Sequence, residues 1–301
     1  MVYQHRLFGL ITLAAVGLSS VSYAQSAART IKDIPYATVD GKTLGLDLYM
    51  PAGAPNPALL VWVHGGAWRS GSKSSVPVGL TQGGFAVASV DFRQSTDAKF
   101  PAMIHDIKGA IRFLRANAAK YGYRTDRIAI GGDSSGAHLA VLVGVTAGNA
   151  ELEGTVGGNS GQSSAVQAIL DYYGATNLTT ILAQSTPFGL GVREPALDLL
   201  LGAQPKDVKA LAELASPVFH VDAKDPPLLI FHGDQDPQMP INQSIELQGA
   251  YEKLNIEVSF IAVHGAAHGG QVFYTGANLE RALGFLRVTL RWPPNFPEAP
   301  L

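Results

Sequence analysis

The stretch "RIAIGGDSSGAHLAVLVGV" (residues 127–145) joins two apolar segments through the glycine-rich turn GGDSSG. The first segment, 127–131, is a short apolar run of the kind that forms a strand buried on both faces of a parallel sheet. The second segment, 137–145, is longer, apolar and of helical character. A strand that turns sharply into a helix predicts an α/β fold, and the rest of the chain repeats this pattern.

Six further segments are predicted to be strands, and helical patterns lie between them. A helix over residues 104–118 is predicted by apolar residues that recur three and four positions apart, and 242–254 and 277–291 have similar patterns. Alternating strands and helices predict a doubly wound α/β sandwich. With no internal repeat or second boundary, we predict one domain over residues 25–301. The six strand segments are 43–50, 58–63, 85–91, 166–173, 227–232 and 256–263.

Two segments depart from this alternation. The stretch "GNAELEGTVGGNSGQSS" (148–164) is rich in glycine and serine and has no period, which predicts a long loop. Residues 174–220 carry weak helical patterns that are separated by prolines. We interpret them as a small insertion over the strand ends, a candidate partial lid.

Composition excludes several classes of function. The chain has 301 residues with a formal net charge of −2, so there is no electrostatic reason to expect a nucleic acid partner. Cysteine is absent, which excludes a cysteine nucleophile and a thiolate metal site. The histidines have no HExxH spacing. We therefore expect neither a metal nor a cofactor.

The first residues predict a signal peptide rather than part of the fold. A short basic start is followed by the apolar run "LFGLITLAAVGLSSV" and by the small residues Ser22 and Ala24. We predict a leader over residues 1–24, cleavage after Ala24, and a periplasmic or secreted protein without stable membrane insertion. The alternative is an uncleaved anchor, for which this run is short, because a span needs about 20 apolar residues.

The turn in the opening stretch fits the pattern G-x-S-x-G with Ser134 at its centre. A nucleophile on a sharp strand-to-helix turn needs minimal side chains two residues away, and Gly132 and Gly136 occupy those positions. We therefore predict Ser134 as the nucleophile. The alternative is a glycine-rich turn in which Ser134 or Ser135 only caps the helix.

A serine hydroxyl needs a base to take its proton and an acid to orient that base. The order expected in this architecture is Ser, then Asp or Glu, then His. "HGAAHGG" (264–270) offers two histidines, of which His268 is favoured because its small, flexible neighbours let the ring reach Ser134; His264 lies directly after a strand.

Three aspartates compete for the acid. Asp236 is favoured because it lies further out in its strand-end loop and precedes Pro237, whereas Asp234 directly follows the strand and could simply cap the turn. Asp171, near the end of an earlier strand, is a more remote candidate.

The stretch "VHGGAW" (63–68) follows a predicted buried strand, where a second backbone donor to an oxyanion is expected. Glycine lets the backbone approach a developing oxyanion without a Cβ in the way. We predict the amides of Gly66, Ala67 and Ser135 as the oxyanion hole, with Gly65 as an alternative donor. Trp68 is a candidate wall of the substrate pocket, with ordinary packing as the alternative.

With HGGAW, GDSSG, HGDQDP and a late His-Gly in this order, the sequence resembles the esterase/lipase branch of the α/β-hydrolase superfamily. More narrowly it is similar to hormone-sensitive-lipase-like carboxylesterases and to bifunctional feruloyl and acetyl-xylan esterases. The resemblance runs from about Ile31 to Leu290, and "FPAMIHDIKGAIRFLR" and "PPLLIFHGDQDPQMPINQS" are similar to the second group in particular. One departure is Ala67, which stands where many relatives have a third glycine.

The resemblance implies an eight-stranded, mostly parallel sheet and a triad of Ser134, Asp236 and His268. It implies a serine carboxylesterase that acts through an acyl-enzyme on short-chain acyl, acetyl or feruloyl esters, free or linked to a polysaccharide, without a cofactor. Two alternatives remain open: an arylformamidase or lactonase with the same triad, and a catalytically silent binding protein with this fold.

Overall fold

The structure, a computed structural model, describes residues 27–292 of the chain, and the predicted leader lies outside these residues. Within them the chain forms eight strands. Their bounds are β1 Arg29–Val39, β2 Lys42–Met50, β3 Leu59–Val63, β4 Ala86–Val90, β5 Ile128–Asp133, β6 Ala168–Tyr172, β7 Leu228–Gly233 and β8 Val258–Val263.

The strands form one sheet in the order β1-β2-β4-β3-β5-β6-β7-β8. Strand β2 pairs antiparallel with β1 and β4, and all other pairs are parallel. Every residue of the central strands β3, β4 and β6 is buried, as their apolar runs predict. The predicted fold class, an α/β-hydrolase fold with an eight-stranded, mostly parallel sheet, is confirmed.

Strand β1 is the one strand that sequence patterns did not predict. It lies at the edge of the sheet, and only Ile34 and Tyr36 of its eleven residues are buried. Its pairing with β2 is irregular between Ile31 and Ile34 and again between Pro35 and Ala37. These irregularities break the alternation of apolar and polar residues by which an edge strand is recognised.

Helices cover both faces of the sheet. The core on one face includes buried residues of α2, α4 and α9, and the core on the other includes those of α1 and α10 when the helices are numbered in chain order. Helices α2, α9 and α10 lie within two residues of their predicted bounds. The bounds are α1 Val78–Thr81, α2 Ala102–Ala116, α3 Ala118–Tyr121, α4 Ser135–Gly144, α5 Ala150–Glu153, α6 Ile181–Gln184, α7 Pro187–Leu201, α8 Lys209–Leu214, α9 Asn242–Lys253 and α10 Gly276–Leu290, with 3₁₀ turns at Pro217–Phe219 and Gln271–Phe273.

The segment 148–164 is irregular, as predicted, except for the single helical turn α5. Asn149 caps this turn by accepting hydrogen bonds from two of its amides. The turn places Glu153 against α2, where its carboxylate contacts Lys108 Nζ at 2.9 Å and Arg112 Nη1 at 3.1 Å. The loop is therefore tied to the helical layer by one partly buried carboxylate.

The segment 174–220 is largely helical, with α6, α7 and α8. It packs on α9 through Gln243, whose side-chain oxygen accepts the Thr176 amide at 2.9 Å. It also contacts the chain before α2, since Leu200 accepts a hydrogen bond from the Phe100 amide at 2.9 Å. These contacts anchor the segment beside the carboxyl ends of the strands.

A close backbone crossing holds the turn between β5 and α4 against the end of β3. A Cβ on Gly132 would lie 2.5 Å from the carbonyl oxygen of Val63, and a Cβ on Gly136 would overlap the carbonyl oxygens of Val63 and His64. Only glycine fits at these two positions. The crossing fixes where the chain enters α4, and with it the position of Ser134.

The crossing predicts that Gly136→Ala lowers the free energy of unfolding by about 2–3 kcal/mol, because the added methyl must push two backbone segments apart. Gly284→Ala is the matched control, since a Cβ at this α10 position meets nothing within 4 Å. It should instead stabilise the fold by about 0.5–1 kcal/mol. Urea unfolding measures both variants, and equal stability of the two would contradict the crossing.

Candidate active site

Ser134 lies at the carboxyl end of β5, where the chain turns into α4. Its φ of 52° and ψ of −120° are uncommon for a residue with a side chain. Its amide donates to the carbonyl oxygen of Tyr172 at 2.9 Å, which holds the turn against β6. The residue is only 6% exposed, so its hydroxyl is presented from a fixed, largely buried position.

His268, in the loop after β8, brings its Nε2 to 2.9 Å from Ser134 Oγ. Its Nδ1 lies 2.6 Å from Asp236 Oδ2. With the Nδ1 hydrogen donated to the carboxylate, Nε2 is free to accept the hydroxyl proton of Ser134. The structure thus brings together the three side chains that the sequence singled out; their catalytic roles stay a prediction.

The side chain of Asp236, in the loop after β7, is held by backbone amides of the same loop. Its side chain is fully buried, and Oδ1 accepts hydrogen bonds from the amides of Gln238 and Met239 at 2.8 Å. Burial alone would raise the pKa of Asp236, but the contacts from His232 and His268 and the backbone amides together hold this pKa well below its usual range. Asp236 therefore remains an anion next to the His268 ring.

The competing candidates have other partners. Asp234 Oδ2 lies 2.7 Å from His264 Nδ1, and Asp234 Oδ1 accepts a hydrogen bond from the Gly265 amide at 2.8 Å. Asp234 therefore caps a turn, which was the alternative role considered for this residue. The side chain of His264 is 96% exposed. Asp171 is fully buried, and its Oδ1 accepts the Gly174 amide.

The loop after β3 supplies the other side of the site. Gly66 and Ala67, with φ values of +124° and +53°, both line a cavity that also contains Ser134 and His268. No acceptor among residues 27–292 takes the amide hydrogen of Gly66 or of Ala67. Ser135 begins α4, and the first amides of a helix have no acceptor within the helix.

Gly65, the alternative donor, is engaged elsewhere. Its amide donates to Asp133 Oδ1 at 3.0 Å, so this hydrogen is not available to a substrate oxygen. The same bond ties the loop after β3 to the residue that precedes Ser134. His64 contacts its own loop, with Nδ1 at 2.8 Å from the carbonyl oxygen of Gly65.

The prediction that Trp68 forms a wall of the substrate pocket is corrected by the structure. The indole is 1% exposed and does not line the cavity. Its Nε1–H donates to His138 Nδ1 at 2.9 Å, and His138 Nε2 contacts the carbonyl oxygen of Ala215 at 2.7 Å. A left-handed backbone at Ala67 and Trp68 turns the indole into the core, and Arg69 lines the cavity instead.

The cavity has a volume of about 330 Å³ and combines polar and apolar groups. No residue of the candidate lid, 174–220, lines it. The lid segment reaches the rim indirectly, because Thr186 Oγ1 donates to the carbonyl oxygen of Pro237, next to the lining residue Gln238. Its role as a partial lid stays a prediction.

The sequence analysis missed several lining residues, among them Tyr173 and Asp133. Tyr173 follows β6 with a φ of 47°, and its ring packs edge-to-face against that of His268 at 4.8 Å. Its hydroxyl lies 2.8 Å from that of Tyr274. Asp133 lies within the G-x-S-x-G turn, and burial raises its pKa to about 6. The position of Tyr173 at the end of the predicted strand 166–173 was the available signal.

Arg193 of α7 is a buried cation near the triad that no pattern indicated. Its side chain is fully buried, and none of its nitrogens has a hydrogen-bond partner in the described part of the chain. Burial lowers its pKa to about 10, against the opposing influence of the Asp236 charge. Arg193 is therefore still cationic at neutral pH and favours the ionised form of Asp236.

Within residues 27–292 there is no group of three or more His, Asp or Glu side chains that could hold a metal ion. Over the same residues, no helix is both long enough and apolar enough to cross a membrane. The site contains a hydroxyl, an imidazole and a carboxylate that are hydrogen-bonded in sequence, and backbone amides without acceptors lie beside them. That arrangement suits nucleophilic attack on a carbonyl carbon.

Comparisons with known proteins agree with this geometry. The BD-FAE family model matches residues 46–251. Esterase LipQ of Mycobacterium tuberculosis is 32% identical in an alignment of 251 residues that covers 80% of this chain and 57% of the relative. A probable isoprenylcysteine alpha-carbonyl methylesterase of Arabidopsis thaliana, ICMEL1, is 29% identical over 74% of this chain and 48% of its own. The chain thus spans about half the length of these relatives.

Two solved structures are similar over most of this chain. A truncated carbohydrate esterase from gut microbiota has a TM-score of 0.78 and 29% identity, covering 88% of this chain and 99% of its own. A bifunctional GH43-CE protein of Bacteroides eggerthii has a TM-score of 0.78 and 35% identity, covering 86% of this chain and 35% of its own.

Two carboxylate–histidine pairs, Asp236–His268 and Asp234–His264, can be compared to test which of them activates Ser134. Asp236→Asn should slow covalent labelling of Ser134 by a fluorophosphonate about 10⁴-fold, because the amide holds His268 in the wrong tautomer. Asp234→Asn, which alters the exposed pair with His264, should label at the wild-type rate. Labelling is followed by intact-protein mass spectrometry, and the reverse order of the two variants would contradict the assignment.

The raised pKa of Asp133 predicts a pH-dependent cost in stability. Between the ordinary aspartate pKa of 3.8 and the value of about 6, the folded chain binds more protons than the unfolded chain, so rising pH removes stability. Asp133→Asn removes this titration. Its stability relative to wild type should therefore rise by about 2–3 kcal/mol from pH 4 to pH 7.5 in urea unfolding. An equal difference at both pH values would contradict the burial of this carboxyl.

Proposed function

The chain belongs to the BD-FAE family, in the esterase branch of the α/β-hydrolases, and from this membership we propose that it is a serine carboxylic-ester hydrolase. The observation that carries the proposal is the continuous hydrogen-bonded path from Ser134 Oγ through His268 to Asp236. Similarity to proteins described as esterases over most of the chain supports the same activity.

In the proposed acylation step, Ser134 Oγ attacks the ester carbonyl carbon while His268 Nε2 takes the hydroxyl proton. The ring becomes an imidazolium, which the anionic Asp236 stabilises through the bond to Nδ1. The bond from carbon to the leaving oxygen then breaks, and His268 passes its proton to that oxygen. The alcohol departs and the acyl group remains on Ser134.

Deacylation repeats these events with water as the nucleophile. His268 takes a proton from the water as it attacks the acyl carbon, and then returns that proton to Ser134 Oγ as the acid leaves. In both steps the negative charge that develops on the carbonyl oxygen is stabilised by the amides of Gly66, Ala67 and Ser135. Loss of one such donor typically costs about 10²–10³ in rate.

For the substrate we propose esters with short acyl groups, including acetyl or feruloyl groups on a polysaccharide. The small, partly polar cavity of about 330 Å³ supports a short acyl group, and its position at the open ends of the strands suits an ester on a larger molecule. The similarity to a protein described as a carbohydrate esterase supports a sugar-linked ester. Formamides and lactones are the competing substrates, since the same triad can attack them.

We also propose that the protein acts outside the cytoplasm. The support is the sequence pattern of residues 1–24, with its apolar run and the small residues before Gln25. An extracytoplasmic location suits the proposed polysaccharide-linked ester. N-terminal sequencing of the mature protein tests this location.

Ser134→Ala should lower turnover of 4-nitrophenyl acetate by roughly 10⁶, because no other hydroxyl in residues 27–292 is hydrogen-bonded to His268. Ser135→Ala is the matched control: it removes an Oγ that has no hydrogen-bond partner in the described residues and keeps the backbone amide. It should retain most of the activity. Full activity of Ser134→Ala would contradict the proposal.

The same purified protein separates the competing functions. Methyl ferulate, an N-formyl aromatic amine and a lactone are assayed beside 4-nitrophenyl acetate, with kcat/KM as the measure. The proposal requires the two esters to be the best substrates. A higher kcat/KM for the N-formyl compound or the lactone would favour the competing enzymes, and no hydrolysis with no fluorophosphonate labelling would favour a silent binding protein.

A further inference from the structure

Arg69 lines the catalytic cavity, and its cationic side chain has no counter-ion among residues 27–292. It follows the buried Trp68 and lines the same cavity as Ser134 and His268. Its backbone amide donates to the Gly66 carbonyl oxygen at 3.1 Å, which ties the residue to the loop after β3. Its guanidinium has no hydrogen bond or ion pair with any residue of the described range 27–292.

Most arginines in residues 27–292 have a side-chain partner, although the buried Arg193 also has no hydrogen bond. Six other arginines each donate to a carboxylate or to a backbone carbonyl oxygen. An arginine without such a partner can still bind one that arrives with a ligand, because its planar group presents five donors. The six paired arginines are Arg29, Arg93, Arg112, Arg115, Arg124 and Arg127.

The other polar groups of the cavity leave Arg69 available. Asp133 faces the same cavity, but no ion pair joins it to Arg69 within 4 Å, and its Oδ1 accepts the Gly65 amide. Asp236 is fully buried behind His268 and does not line the cavity. The side chain of Gln238, a further lining residue, also has no hydrogen-bond partner among the described residues and adds an amide donor.

We propose that the ester hydrolysed at this site carries a carboxylate, which the unpaired guanidinium of Arg69 binds beside the reacting carbonyl. This inference rests on the proposed esterase function and narrows its substrate class. The carboxylate can belong to the alcohol part, as in an acylated uronic acid, or to the acyl part, as in a half-ester of a dicarboxylic acid. Arginine suits either, since it can donate two parallel hydrogen bonds to one carboxylate.

The test compares esters that differ in a single carboxylate. For the alcohol part, 4-acetoxybenzoate is set against methyl 4-acetoxybenzoate, with release of the phenol as the readout. For the acyl part, phenyl hydrogen glutarate is set against phenyl pentanoate, after subtraction of the uncatalysed rate. Each pair gives a ratio of kcat/KM, charged over neutral, for the wild type, Arg69→Gln and Arg69→Lys.

In Arg69→Gln we expect this ratio to fall about tenfold in one of the two pairs. That pair is the one whose carboxylate lies in the part of the ester, alcohol or acyl, that Arg69 contacts. Arg69→Lys, which keeps the charge but not the paired donors, should retain part of the ratio. A ratio cancels the fraction of folded enzyme, so a poorly folding variant still gives an answer. A fall of about fivefold or more in either pair supports the inference.

A smaller change in both pairs, with neutral esters hydrolysed normally by the wild type, overturns this inference and leaves the esterase function standing. No hydrolysis of any of the four esters by the wild type overturns the esterase function, and this inference with it. The pair that responds identifies whether the carboxylate belongs to the alcohol or to the acyl part.

Discussion

The site depends on one close approach of backbone to backbone, where the turn after β5 crosses the end of β3. The carbonyl oxygen of Val63 occupies the space that side chains at Gly132 and Gly136 would need. Because those side chains are absent, the turn can tighten until Ser134 reaches a φ of 52° and stands at the carboxyl ends of the strands. The same crossing places the start of α4 beside the loop that carries Gly66, so nucleophile and amide donors share one fixed frame.

A buried chain of hydrogen bonds connects that frame to the rest of the fold. Trp68 donates to His138 on α4, and His138 in turn contacts the carbonyl oxygen of Ala215. Burial lowers the pKa of His138 to about 4, so its ring stays neutral and can donate at one nitrogen while accepting at the other. Trp68 and His138 together thus link the loop after β3, helix α4 and the inserted segment 174–220.

Much of this architecture could be predicted from local patterns, because buried parallel strands are apolar runs and the turn requires glycine. Asp236 was preferred to Asp234 because Asp236 lies further from the end of the strand. Which histidine each carboxylate contacts, however, depends on how the loops after β7 and β8 pack against each other. The side chain of Trp68 was wrongly assigned to the pocket wall, because the sign of φ at this residue is determined by tertiary contacts. Arg193, a buried cation on α7, follows no sequence period, so no local pattern could indicate it.

The central claim is that Ser134, His268 and the free amides act on one carbonyl group, and the structure of a covalent adduct tests it most directly. A crystal structure of the mature protein after reaction with a phosphonate ester should show phosphorus bonded to Ser134 Oγ. One phosphonyl oxygen should lie within hydrogen-bond distance, about 2.7–3.1 Å, of the amides of Gly66, Ala67 and Ser135. An adduct whose oxygen points to solvent, with His268 far from Ser134, would contradict the account.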